Sequence, residues 1–313
     1  MKEANIGKER FYRRYGVLLS FIIIFSVLAL TTPGFLSLSN LTTVLRQISI
    51  NGILAVGVTF VIITGGIDLS LGSTVALAGV TAALFARQGG DALALPLIAG
   101  ITTGLVVGLV NGLIVTRGKV APFIVTLGMM TILRGTALVV SDGRPVSNLS
   151  NAFNAIGGGD LMGIPIPILV FLAVVVVSHV ILDRTVIGRY VYATGGNEKA
   201  AYASGVDTDR VKMFVYVICG AFAGLAGIVL ASRINTGQPN AGVSFELDAI
   251  AAAVIGGTNL SGGIGKVTGT VLGVLIIGII NNGLDLLNVT SYYQQIIKGV
   301  IIIGAVLIDR NKR

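Results

Sequence analysis

Side chains that could catalyse a reaction are scarce in this 313-residue sequence. It contains one histidine, His179, and one cysteine, Cys219, and both lie in apolar runs, so no disulfide framework and no CxxC metal site is predicted. We expect His179 to be a packed or interfacial side chain rather than a ligand. An enzyme working inside a membrane would need a nucleophile with a base, or a metal cluster, and the sequence indicates neither. It also lacks a Gly-x-x-x-x-Gly-Lys-[Ser/Thr] loop, so no nucleotide or other cofactor is expected on this chain.

Polar residues in or beside apolar runs are more informative, because a pathway for a neutral solute needs hydrogen-bonding groups and few charges. Two interpretations stay open for the amides: they line a pathway, or they tie neighbouring helices together. Asp68 is either a cap for the helix that follows or a pathway residue. Arg134 and Lys298 lie in or near apolar runs, so each needs a partner, a wet cavity or the headgroup region. The pathway candidates are Gln47, Asn51, Asp68, Ser70, Asn111, Asn259, Asn281 and Asn282.

The elements that position these residues are membrane helices. Hydrophobic residues make up 54% of the chain and charged residues 12%, and the mean hydropathy is +0.90. A soluble domain carries about twice that charged fraction and could not cover so much apolar side chain, whereas lipid can. The net charge of +8 does not indicate nucleic-acid binding, because the basic residues cluster at the chain ends and in loops between apolar runs.

The apolar runs predict an all-α polytopic membrane protein with about ten transmembrane helices, forming one domain over residues 1–313. If the segment 1–16 is cytoplasmic, most of the 22 lysine and arginine residues fall on the same side, so both termini are predicted to be cytoplasmic. The long connections are 141–163 on the outer side and 183–211 on the inner side. The runs are 17–32, 44–64, 70–86, 93–115, 122–140, 164–182, 212–232, 245–257, 267–283 and 292–308.

A Gly-rich segment occurs twice. Residues 65–73 and 256–264 are identical at five of nine positions, at a constant offset of 191 residues. Six predicted spans separate the copies, so both would have the same membrane orientation, as in a parallel duplication. Chance similarity between two Gly-rich turns is the alternative. The glycines and the short run at 245–257 predict broken helices, which persist at membrane depth only beside protein or a wet cavity.

The inner connection 183–211 contains a compact helix pattern. Asn197 is a good N-cap, the residues from Glu198 to Ser204 favour a helix of about two turns, and Gly205 is a natural C-terminal stop. We expect Ala200, Ala201 and Tyr202 to be exposed on it. A short surface helix with such ends is typical of a docking element, whereas a plain connector would not need them.

This loop resembles the coupling loop of permeases from ABC importers, with Glu198, Ala200, Ala201 and Gly205 in the places of the family's Glu-Ala-Ala and following Gly. Further motifs are similar to the ribose-type branch of the sugar permeases, and the resemblance runs from about residue 35 to the tail. They are 64–73, 246–252, 256–263, 281–284 and 291–294. The residues that the resemblance assigns to ATPase coupling are Gly196, Asn197, Glu198, Ala200, Ala201 and Gly205.

The resemblance implies a homodimeric permease in the bacterial inner membrane, which translocates a monosaccharide with ribose as the expected substrate. A cytoplasmic ABC ATPase would hold ATP and Mg and grip the 197–205 helices, and a periplasmic sugar-binding protein would deliver the substrate. The residues themselves would fit xylose, galactosides or a ribose-like furanone equally well. The alternative is an ion-coupled secondary carrier, which usually needs ionisable groups at membrane depth.

Overall fold

The computed structural model describes residues 2–87 and 92–310, and these are mostly helical. A two-stranded hairpin, β1 (Asp160–Leu161) and β2 (Ile164–Pro165), is the one sheet within the described residues. The helices are α1 (Lys2–Thr31), α2 (Leu38–Ile63), α3 (Leu71–Phe85), α4 (Ala94–Thr116), α5 (Pro122–Val140), α6 (Asn151–Gly158), α7 (Ile166–Arg184), α8 (Val186–Gly196), α9 (Glu198–Ala203), α10 (Thr208–Arg233), α11 (Phe245–Ile255), α12 (Val267–Leu286) and α13 (Ser291–Arg310).

Six of the described helices are long and apolar enough to cross a membrane: α2, α4, α5, α7, α10 and α12. Shorter apolar helices occur at Gly16–Thr31, within α1, and at Leu71–Phe85, which is α3. All ten predicted apolar runs coincide with a helix, because α11 and α13 cover the remaining two. The prediction of an all-α polytopic membrane protein is therefore confirmed, while ten crossings stay a prediction.

Helix α2 is the centre of the bundle. Nearly all of its residues from Ile48 to Ile63 are buried, and it packs against α7, α10, α11 and α12. A membrane helix that faces protein on all sides is free to carry polar groups, because neighbouring helices rather than lipid surround them. Helix α2 carries two of the pathway candidates, Gln47 and Asn51.

Helices α4 and α10 form the most extensive helix pair, and glycines let their backbones approach closely. A methyl group at Gly104 would overlap the Gly220 carbonyl oxygen, and one at Gly108 would overlap the Tyr216 carbonyl oxygen. The glycines of α4 recur every four residues, so they lie along one side of the helix.

Replacing Gly104 with alanine is expected to destabilise the protein by about 1–3 kcal/mol, because the added methyl group must push α4 and α10 apart. Gly128 on α5 is the matched control, since a methyl group there meets no atom within 4 Å. The melting temperatures of the two detergent-solubilised variants measure this difference in stability. An equal melting temperature for Gly104→Ala and Gly128→Ala would contradict the close contact.

Two irregular segments interrupt the bundle. Residues 64–70 link α2 to α3 and are largely buried, with Asp68 2% and Ser70 0% exposed. Residues 234–244 link α10 to α11 and run along α3, where methyl groups at Gly237 and Gly242 would overlap α3. Both segments lie against protein, the setting in which irregular backbone is tolerated in a membrane protein.

Three elements were not predicted, namely α6, α8 and the hairpin. The first two begin at good N-caps: Ser150 accepts from the Phe153 N–H, and Thr185 accepts from the Gly188 N–H. They are short and too polar to form an apolar run, so a search for membrane spans passes over them. The inner connection 183–211 thus holds two helices, α8 and α9, instead of the one that was predicted.

Candidate functional site

A polar cavity lies between α2, α11 and α12. Gln47 and Asn51 of α2 face Asn281 of α12 and Asp248 of α11, and apolar side chains complete the walls. Three of the eight pathway candidates therefore come together here. Asn51 is about midway along α2, far from either end of the bundle. The space has room for about one water molecule.

Two acceptors in this cavity lack a hydrogen-bond partner within the described residues, namely Asn51 Oδ1 and Asn281 Oδ1. Both side chains are nearly buried, at 8% and 5% exposure. An unpaired buried acceptor is costly, so each needs a hydroxyl or water donor. Lys298 Nζ of α13 donates to Asp248 Oδ2 at 2.8 Å, and this ion pair leaves the cavity wall without net charge.

Asp248 is the functional candidate that the sequence analysis did not select. It lies in the first turn of the short helix α11 and is 4% exposed. Lys298 could have indicated Asp248 from the sequence. A lysine within an apolar run must find a partner, and Asp248 is one of few carboxylates near a span. Asp248 and Lys298 are 50 residues apart in the sequence, so no local pattern indicates that they pair.

Asp68, Ser70 and Asn111 form a separate hydrogen-bonded tie. Ser70 immediately precedes α3 in helical backbone geometry and makes no side-chain capping bond, whereas the Asp68 carboxylate accepts a backbone N–H there, as the cap interpretation of Asp68 predicts. Asp68 Oδ1 accepts from the Ser70 N–H at 2.8 Å and from the Ser70 hydroxyl at 2.6 Å. Asn111 Nδ2 of α4 donates to Ser70 Oγ at 2.9 Å, so the three residues fix the 64–70 segment against α4.

Asn282 and Asn259 also lie away from the cavity. The amide of Asn282 exchanges two hydrogen bonds with Asn40 of α2, at 2.8 and 3.0 Å, and ties α12 to the start of α2. Asn259 Oδ1 accepts from the Ser261 N–H within the Gly-rich turn after α11. For Asn282 the geometry matches the helix-tying interpretation of the amides.

Arg134 of α5 supports the irregular segment 234–244. Its Nη1 donates to the carbonyl oxygens of Pro239 at 2.6 Å and Ala241 at 2.7 Å. Lys298 pairs with Asp248, as described above, so Arg134 and Lys298 both have protein partners. His179 also has a partner, because its Nδ1 lies 2.9 Å from the carboxylate of Asp183 one turn further along α7, a spacing that the sequence analysis overlooked.

Helix α9 has the predicted start and stop. Asn197 Oδ1 accepts from the Ala200 N–H at 3.0 Å, and Gly205 has a φ of +87°. The Gly205 N–H donates to the Tyr202 carbonyl and the Val206 N–H to the Ala201 carbonyl, which is a Schellman motif. Both ends of this six-residue helix are therefore fixed by hydrogen bonds.

One part of the α9 prediction is wrong. Ala201 is 6% exposed, because it packs inward, whereas Ala200 is exposed and Tyr202 is 73% exposed. The free surface of α9 is therefore made by Lys199, Ala200 and Tyr202, with Ala201 anchoring the opposite face. Periodicity alone cannot show which side of a one-and-a-half-turn helix faces the protein.

Glu198 anchors α9 to the start of α10. Its Oε1 accepts from Lys212 Nζ at 2.6 Å and from the Thr208 hydroxyl at 3.4 Å. Glu198 is also in the first turn of α9, where a negative charge favours the helix dipole. The first residue of the Glu-Ala-Ala motif thus positions α9 on the body of the protein.

The end of α2, the end of α8 and the second Gly-rich turn meet at a contact that we call the inner junction: Ile63, Gly195 and Gly263. The Gly263 N–H donates to the Ile63 carbonyl at 2.8 Å, and a methyl group at Gly195 would overlap the same carbonyl oxygen. Next to it, the Tyr192 hydroxyl donates to the Gly265 carbonyl at 2.8 Å. Burial and the nearby Asp183 carboxylate raise the pKa of Tyr192 to about 12, so this donor stays protonated at physiological pH.

The chain matches the family model described as branched-chain amino acid transport system / permease component over residues 40–306. It is 47% identical to the ribose import permease protein RbsC of Bacillus subtilis (strain 168), over 99% of this chain and 97% of the relative. It is 45% identical to RbsC of Haemophilus influenzae, over 98% and 96%. The L-arabinose transport system permease protein AraH of Escherichia coli (strain K12) is 38% identical, over 99% and 94%. No solved structure matches the chain significantly. The chain belongs to the branched-chain amino acid transport system permease family.

Proposed function

We propose that this chain is the membrane-spanning subunit of an ATP-driven ABC importer that translocates ribose. The observation that carries the proposal is the capped helix α9, which presents an exposed surface and is joined to the bundle by Glu198. Support for the substrate comes from the ribose import permeases at 44–47% identity over nearly the full length. A secondary carrier is the weaker candidate, because the Asp248 carboxylate is paired with Lys298 and the buried Asp68 carboxylate is held by hydrogen bonds from Ser70.

The proposed assembly has three kinds of protein subunit. Two copies of this chain form the membrane pore, a cytoplasmic ATPase binds ATP and Mg and docks on α9 of each copy, and a periplasmic binding protein delivers the sugar. ATP binding shifts the pore between inward-open and outward-open states, and each shift needs only a few kcal/mol of differential binding. This chain supplies the pathway and the docking helix.

We further propose ten crossings of the bacterial inner membrane, with both termini in the cytoplasm. The agreement between ten apolar runs and ten helices supports this number, and the basic residues of 183–211 support a cytoplasmic α8 and α9. The Gly-rich turns also contact each other, since a methyl group at Gly262 would lie 3.0 Å from the Gly65 nitrogen, and this contact supports placing both on the same side of the membrane, as a parallel repeat requires.

The substrate pathway is proposed to pass the polar cavity, with Gln47, Asn51 and Asn281 as its hydrogen-bonding residues. They combine acceptors and donors without net charge, which suits a neutral sugar. Asp68, Ser70 and Asn111 form a tie between α3 and α4, so we give them a supporting role. Asn259 is proposed to act within the inner Gly-rich turn.

The decisive experiment reconstitutes the chain with its ATPase and binding protein in proteoliposomes and measures ribose uptake. Changing Ala200 and Tyr202 together to arginine is expected to lower ATP-driven uptake and recovery of the bound ATPase by about tenfold or more, since both side chains are exposed on α9. Val120→Arg, at an exposed position in the turn before α5, is the control. Uptake driven by an ion gradient without the ATPase would instead support a secondary carrier.

A further inference from the structure

The cavity between α2, α11 and α12 has the features of a closed binding site. Its polar groups come from three helices, and the two unpaired acceptors, Asn51 Oδ1 and Asn281 Oδ1, lie on different helices. Acceptors left without donors inside a folded protein call for a hydroxyl group or water between them. The amides of Asn40 and Asn282 satisfy each other, whereas Asn51 Oδ1 and Asn281 Oδ1 lie unpaired at the cavity.

The chemistry of the walls selects a neutral polyol. Asp248 and Lys298 cancel each other's charge, and the Asn281 amide also hydrogen-bonds to Asp248, which leaves its Oδ1 as the free acceptor. Ile48, Val274 and Ile277 add apolar surface that can contact the C–H faces of a sugar ring. A charged ligand would find no uncompensated charge among the residues that line the cavity.

We propose that this cavity is a transient sugar-binding site, in which Asn51 and Asn281 accept hydrogen bonds from hydroxyl groups of a pentose. This inference rests on the proposed import function and adds the place where the sugar is held during translocation. The site is closed in the present conformation, because the cavity has room for about one water molecule and not for a sugar ring.

Helix α11 is the wall that can move to admit the sugar. Positive φ angles flank it on both sides, at Gly242 (+72°) and Ser244 (+68°) before the helix and at Gly257 (+92°) after it. Such positions can absorb large backbone changes at hinges. Helix α13 packs mainly against α11 and is joined to it by Lys298, so the two helices would move together and keep Asp248 paired.

The first test changes the two acceptors to leucine, which has a similar volume and no hydrogen-bonding group. Asn51→Leu and Asn281→Leu are each expected to lower ATP-driven ribose uptake about tenfold, because a hydroxyl group of the sugar loses its partner. Thr59→Val is the matched control: Thr59 lies on α2 and bonds to Thr270 of α12 at 2.8 Å, remote from the cavity. Equal losses in Asn51→Leu and Thr59→Val would overturn the site.

The second test measures binding without transport, in the complete complex without nucleotide. Gln47→Cys at the half-buried edge of the cavity is labelled with a small methanethiosulfonate reagent, while the native Cys219 is fully buried. Ribose at about ten times its dissociation constant is expected to slow labelling about tenfold, and glycine betaine is expected to have no effect. Unchanged labelling in ribose overturns this inference alone, whereas ribose uptake without the ATPase overturns the proposed function.

Discussion

Gly195→Ala is expected to abolish ATP-driven uptake, because the inner junction has no space for a methyl group. The new Cβ would overlap the Ile63 carbonyl oxygen and lie 2.6 Å from the Gly263 nitrogen, so the end of α8 must move away from α2. Such overpacking costs about 1–3 kcal/mol and breaks the contact of α8 with the end of α2 and the second Gly-rich turn. Uptake per ATP hydrolysed is the measurement.

Gly158→Ala is the control for this prediction. Gly158 is the last residue of the short helix α6, and a methyl group there meets no atom within 4 Å. Gly158→Ala should therefore transport normally, while Gly195→Ala hydrolyses ATP without moving sugar. Melting temperatures of both variants separate lost coupling from unfolding, and normal uptake by Gly195→Ala would remove the junction from the coupling mechanism.

Arg134→Met is expected to destabilise the protein by about 2–6 kcal/mol. The substitution removes two short hydrogen bonds and leaves the carbonyl groups of Pro239 and Ala241 without their donor, and each such loss costs about 1–3 kcal/mol. Because 234–244 leads into α11, we also expect ribose uptake to fall. Thermal unfolding in detergent and uptake in proteoliposomes measure the two effects.

Arg134→Lys tests the role of geometry. A lysine keeps the charge and can donate to one or both carbonyl groups, but it lacks the planar fork of arginine. We expect an intermediate stability between the wild type and Arg134→Met. If Arg134→Met and the wild type have the same melting temperature, the segment 234–244 does not depend on Arg134 for its position.

Local patterns in the sequence predicted much of the fold. Every apolar run became a helix, and the Asn197 cap and Gly205 stop bracket α9 as expected, because both depend on neighbouring residues only. Burial of Ala201 was missed, since the side of α9 that faces the protein is set by Glu198 and Lys212, which are 14 residues apart. The two additional short helices follow from caps rather than from hydropathy.

The candidate site was predictable only in part. Asn51, Asn281 and Asn282 were all selected because amides are conspicuous in apolar runs. Asn282, which follows Asn281 in the chain, points toward Asn40 instead of the cavity. One position along a helix rotates a side chain by about 100°, so the helix packing decides which of two adjacent asparagines lines the cavity. Asp248 and Lys298 depend on the packing of α13 against α11, which no local pattern records.

The close glycine contact between α4 and α10 makes one part of the molecule stiffer than the rest. Backbones that touch without intervening side chains have little room to slide, and α3 packs on both helices, so these three helices form a stiff block. Helix α11 is bounded by positive φ angles at Ser244 before it and at Gly257 after it, so it is the part that can pivot. Amides in α4 and α10 should therefore exchange with deuterium far more slowly than those in α11. A force applied at α9 would therefore deform the block of α3, α4 and α10 little and would mainly move the helices beside the cavity.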